Sequence, residues 1–84
     1  MSKKDKLIKK LKSKPKDMTY EEIKTLLGLL MFRESNKGRT SGSRVLFVYD
    51  NQIEIMLHKP HPSSVMKEYQ IKNIVNKLEQ EGLI

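Results

Sequence analysis

Apolar positions follow a helical period in three stretches of this chain and a strand period in one. Near the start, Leu7, Ile8 and Leu11 recur at helical spacing among lysines, which predicts one or two turns of helix stopped by Pro15. Residues 1–6 are polar and charged and are expected to fray. After the connector Lys14-Pro15-Lys16-Asp17, Thr19-Tyr20-Glu21-Glu22 reads as a capping box. In it the Thr19 hydroxyl and the Glu22 carboxylate satisfy each other's backbone N–H groups. Tyr20, Ile23, Leu26, Leu27, Leu30 and Met31 then make one apolar face with a 3.6-residue period.

The period changes to two further on. Phe32 to Asn36 suggest a short strand, and Val45-Leu46-Phe47-Val48-Tyr49 is a β-branched and aromatic run. Asp50-Asn51 suits a two-residue hairpin turn, and the return strand Gln52 to His58 alternates cleanly. That turn would fix the register. Leu46, Val48, Ile53, Ile55 and Leu57 are then expected on the core face, with Val45, Phe47, Tyr49, Glu54 and Met56 on the other. This second face is apolar enough to be a partner surface, unless another element covers it. Pro60 and Pro62 end the strand, and Ser63-Ser64 offer caps near the next helix. In that helix Tyr69, Ile71, Ile74, Val75 and Leu78 keep helical spacing, and Gly82 suits the left-handed position past its end. Leu83 and Ile84 are expected to fold back on the core. The order helix, short strand, hairpin, helix predicts an α+β fold with helices on one face of an antiparallel sheet.

At 84 residues the chain has room for one domain, with little space for a deep cavity. A basic, partly helical extension is expected over 1–16 and the domain proper over 17–84. Seventeen Lys and Arg against ten Asp and Glu leave a formal charge of +7, which favours a polyanion such as RNA or an acidic protein. Lysines that merely solvate a small domain would give the same charge. No cysteine is present, so disulfides and thiolate metal sites are excluded. No apolar run approaches membrane-spanning length and no apolar stretch follows the charged start as in a secretory signal, so a cytoplasmic location is expected. Three apolar residues make too thin a face to lie stably on a membrane.

The chemistry collects between Lys37 and Pro62. A loop of glycine, serine and basic residues, Lys37 to Arg44, leads into the hairpin, whose far strand ends His58-Lys59-Pro60-His61-Pro62 with both histidines of the chain. Cutting RNA without a metal needs a base for the 2′-OH, an acid for the leaving oxygen and cations around the phosphate. His58 and His61 are the candidate acid and base, with His58 ahead. Arg39, Arg44 and Lys59 are the candidate phosphate cations, and Ser43 could add a hydroxyl or a backbone donor. In the two-residue register Arg44 lies opposite Leu57, one residue before His58. A histidine at a strand end is more often a surface or cap residue than a catalyst. No metal or other cofactor is expected: zinc wants three or four protein ligands, and His58 and His61 offer two. The glycine loop lacks the spacing of a phosphate-binding loop.

Thr19-Tyr20-Glu21-Glu22 opening a helix, Gly42-Ser43 opening a strand, and a final Ile/Leu-rich helix ending Gly82-Leu83-Ile84 resemble the HicA family over about residues 17–84. These are the small toxins of HicAB toxin–antitoxin pairs. The resemblance implies a fold like the double-stranded-RNA-binding domain, cleavage of mRNA without the ribosome, and neutralisation by a HicB antitoxin. It also implies a catalytic histidine just after the Gly-Ser pair, where this chain has Arg44 and Val45. Neither can act as a base at neutral pH. Three accounts stay open. His58 or His61 has taken over the role; or Arg44 grips phosphate in a protein that binds RNA without cutting it; or the protein persists mainly as an antitoxin partner or fold relic.

Overall fold

The structure, a computed structural model, describes residues 2–35, 44–50, 52–60 and 63–84. Three helices, α1 (Lys3–Lys12), α2 (Tyr20–Leu29) and α3 (Glu68–Gln80), accompany three strands, β1 (Arg33–Ser35), β2 (Arg44–Tyr49) and β3 (Ile53–His58). The strands form one antiparallel sheet in the order β1-β2-β3, so β2 is central and the other two are edges. This is the expected α+β class.

The start of the chain is better ordered than its charge suggests. Ser2 caps α1 by accepting from the Asp5 N–H (3.2 Å), and the helix runs from Lys3. Leu11 is fully buried, with Leu7 and Ile8 packed beside it, so α1 belongs to the same core as α2 and α3. The capping box of α2 is complete. The Thr19 hydroxyl accepts from the Glu22 N–H (3.2 Å), and Glu22 accepts from the Thr19 N–H (3.0 Å). The Lys10 ammonium adds a 2.8 Å bond to the same carboxylate, which ties α1 to the first turn of α2.

That bond, then the Thr19 N–H, hold the Glu22 carboxyl below the usual carboxylate range against the opposing effect of burial. The same bond pushes the Lys10 ammonium up. A lowered folded pKa stabilises above the unfolded value, about 4.3 for Glu, and the benefit disappears as pH falls through the folded value. Glu22→Gln is therefore expected to lower the melting temperature at pH 7, with the deficit shrinking below about pH 4. A deficit that stayed constant with pH would remove the charge of Glu22 from the cause.

Met31 departs from the expected apolar face of α2. It is 73% exposed and adopts φ 75° just past the helix, where its N–H donates to the Gly28 carbonyl (3.0 Å) and that of Phe32 to the Leu27 carbonyl (2.8 Å). This closure ends the helix at Leu29, two residues before Met31, and sends Phe32 inward instead. At the end of α3, Gly82 (φ 74°) makes the same kind of closure, and Leu83 and Ile84 pack on the core as expected. Ser63 and Ser64 do not cap α3, which starts at Glu68 without a side-chain cap. The Ser63 hydroxyl accepts from the Val65 N–H (3.1 Å), and the Ser64 carbonyl accepts from the Tyr20 N–H (2.9 Å). With the Met66 N–H bonded to the Met18 carbonyl (2.8 Å), residues 63–66 pin the approach to α3 against the start of α2.

The hairpin register differs from the expectation by one residue. Tyr49 pairs with Ile53, so three residues turn the chain, with Asp50 at φ 51° and the Gln52 N–H bonded to the Tyr49 carbonyl (2.9 Å). A one-residue shift exchanges the faces of one strand relative to its partner. Val45 and Phe47 are buried with Ile55 and Leu57, while Leu46, Val48, Glu54 and Met56 share the open face. The face expected for β3 is right, and that expected for β2 is reversed. Aromatic area decides between the registers. Phe47 goes into the core at 3% exposure, and Tyr49 meets the Phe32 ring at 5.5 Å between centroids. A two-residue turn would have turned both aromatic rings of β2 away from the core in exchange for two aliphatic side chains.

Candidate functional site

Correcting the register changes the site. Arg44 lies directly opposite His58, not Leu57, and both side chains are exposed. His58 turns its backbone away from β2. Its N–H donates to Gln70 Oε1 (2.9 Å), and its carbonyl accepts from Gln70 Nε2 (3.2 Å). In an antiparallel ladder, a residue whose N–H and C=O both point outward belongs to a non-hydrogen-bonded pair, where opposed side chains come closest, with Cβ atoms about 4.5–5.5 Å apart. The two side chains therefore leave the open face of the sheet from adjacent positions. Neither has a carboxylate ion pair among the described residues. Glu54, on the same face of β3, is four residues from His58, about 13 Å along the strand.

Gln70 is the buried polar side chain of the described core, at 5% exposure. Its amide does for the edge of β3 what another strand would do, satisfying one backbone donor and one acceptor. It was missed in the sequence, although the signal was present: Gln70 lies four residues before Ile74 and eight before Leu78, on the apolar stripe of α3. Gln70→Leu fills similar volume but strips both bonds from His58, so it should cost about 2 kcal/mol in urea unfolding. An unchanged midpoint would mean that water replaces the amide at no cost.

Lys59 goes elsewhere. Its ammonium lies 5.7 Å from the centroid of the Tyr20 ring, on the first turn of α2 and so on the helical side of the sheet. The open face carries Arg44 and His58. The structure thus brings Arg44 and His58 together and sets Lys59 on the opposite side of the strand. Arg39, Ser43, His61 and the glycine loop lie outside the described residues. The Tyr20 hydroxyl is buried, and its oxygen has no hydrogen-bond partner among the described residues. Burial first, then Glu34 and Glu21, push its pKa up, so the phenol stays protonated.

Beyond the Arg44–His58 row, the open face continues through Leu46 and Met56 to Val48, flanked by Arg33 and Glu54. A shallow groove of about 400 Å³ runs along β3 between its edge and α3, past His58, Tyr69, Gln70, Asn73 and Lys77. No group of three or more His, Asp or Glu among the described residues is placed to hold a metal ion. No described helix is long and apolar enough to cross a membrane.

Comparison with known proteins adds nothing to this geometry: no family model, curated protein or solved structure matches the chain. The case for function rests on the residues themselves.

Proposed function

We propose that this protein is a HicA-like toxin that binds mRNA and cleaves it at the Arg44–His58 pair, with a HicB-type antitoxin as its neutralising partner in the cytoplasm. The observation that carries this reading is the direct cross-strand opposition of Arg44 and His58, both exposed, on the open face of the sheet. A neutral imidazole there takes the proton of an RNA 2′-OH, whose oxygen attacks the adjacent phosphorus. The bond from phosphorus to the 5′ oxygen breaks and leaves a 2′,3′-cyclic phosphate. The departing 5′ oxygen takes a proton from His61 or from water. Arg44 neutralises charge on the phosphate oxygens before and during the step. The helix layer on one side of a three-stranded antiparallel sheet is consistent with a fold like the double-stranded-RNA-binding domain.

One observation favours a second reading. Arg44 is exposed and has no ion pair among the described residues, so it can hold a phosphate whether or not an acid and a base stand beside it. A module that binds RNA by shape and phosphate contact needs neither. Purified protein with a long end-labelled mRNA in chelator-containing buffer decides between them. Fragments ending in cyclic phosphate support the toxin, and retention without fragments makes it an RNA-binding module. Failure to bind at low salt removes both.

A further inference from the structure

The outer surface of α1 has no role in the reading above. Lys3, Lys6, Lys9 and Lys12 are all exposed and follow one another every third residue. At 1.5 Å per residue they form a slanting ridge about 14 Å long that winds half-way round the helix, with Lys3 and Lys12 on opposite flanks. Like charges at this spacing weaken a helix, and the carboxylate on α1 itself is Asp5 alone. Lys10, off the ridge, takes Glu22 as its partner. Among the described residues none of the four ridge lysines has an ion pair.

We infer that this ridge is a second phosphate-binding surface, which grips the backbone of an RNA held at Arg44–His58; the inference rests on the RNA reading of that pair. Charge complementarity argues for a polyanion, and the rest of the helix argues against other anionic partners. The apolar side of α1, namely Leu7, Ile8 and Leu11, is spent on the core and is not free to enter a lipid surface. The ridge offers no aromatic or arginine anchor of the kind that protein interfaces are built around. Lysines in a row suit a phosphate chain, which needs regularly placed positive charge and little else. α1 belongs to the helix layer and Arg44–His58 to the open face of the sheet, so an RNA that meets both passes round the edge of the sheet. The longest dimension of the domain is 36 Å, which about eleven nucleotides would span at 3.4 Å each.

The test uses the full chain and a labelled 20-nucleotide RNA, with affinity measured between 50 and 300 mM salt. Each phosphate contact on a single strand contributes about 0.7 to the slope of log K against log salt. Replacing all four ridge lysines by Gln is expected to reduce that slope by about 3, with the helical signal unchanged. The Lys-to-Arg version should restore it. A slope equal to that of the wild type would overturn the proposal and leave the ridge as a solvated surface. So would wild-type protein that ignores RNA but binds vesicles of phosphatidylglycerol. Arg44→Ala separates the two readings: if it leaves RNA affinity intact while the ridge variant loses it, the ridge stands and the Arg44–His58 site falls.

Discussion

Phe47→Asp should leave no folded protein at 25 °C, while Leu46→Asp, one residue earlier, should leave a cooperatively folding domain. Phe47 is 3% exposed and lies among Ile55, Leu57 and the helix layer, so the substitution removes a ring and buries a carboxylate. Truncating a core Phe costs about 3–5 kcal/mol, and an unpaired polar group adds several more. A domain of this length holds roughly 4–13 kcal/mol in total, and the combined loss takes most or all of it. Leu46 is half-buried on the open face beside Ser35 and Met56, where an aspartate stays in water within two residues of Arg44. Its cost is about 1 kcal/mol, the span of strand preference. Thermal unfolding followed by circular dichroism checks both. The opposite result, with Leu46→Asp unfolded and Phe47→Asp folded, would mean that the hairpin closes on a two-residue turn.

This pair of variants tests the point at which the sequence misleads. Features set within a few residues are legible: the Thr19–Glu22 box, the apolar stripe of α2 from Tyr20 to Leu30, and the Gly82 closure all rest on local chemistry. The existence of the hairpin is legible too. Its register is not, because Asp50-Asn51 fits a two-residue turn and the deciding energy lies in where the Phe47 and Tyr49 rings end up. That is a property of the helices across the core. The same limit hides the length of α1, whose lysine-rich pattern looks too polar to fold until Leu11 meets α2 and α3. For the site, the residue types were readable and their arrangement was not. Arg44 beside His58 depends on the register, Lys59 over Tyr20 depends on α2, and Gln70 reaches His58 from twelve residues away.

His58→Ala should abolish RNA cleavage without disturbing the fold. Positioned general acid or base groups contribute about 10²–10⁴ in rate, so the variant should fall near the background of uncatalysed breakage. The structure makes this substitution unusually interpretable. His58 is exposed on the open face, and Gln70 holds its backbone N–H and C=O, atoms that alanine retains. The loss therefore reports the imidazole alone, whereas Gln70→Leu keeps the imidazole and frees the backbone that positions it. Arg44→Ala should behave differently again, weakening RNA binding and lowering its salt slope by somewhat less than one. The pH profile distinguishes chemistry from contact, since imidazoles titrate between about pH 5 and 8 and arginine does not. Cleavage that persists in His58→Ala with an unchanged pH profile would move the base away from β3. If wild type and variant bind RNA equally and neither cleaves it, the pair is a phosphate grip, and the protein acts by holding its RNA.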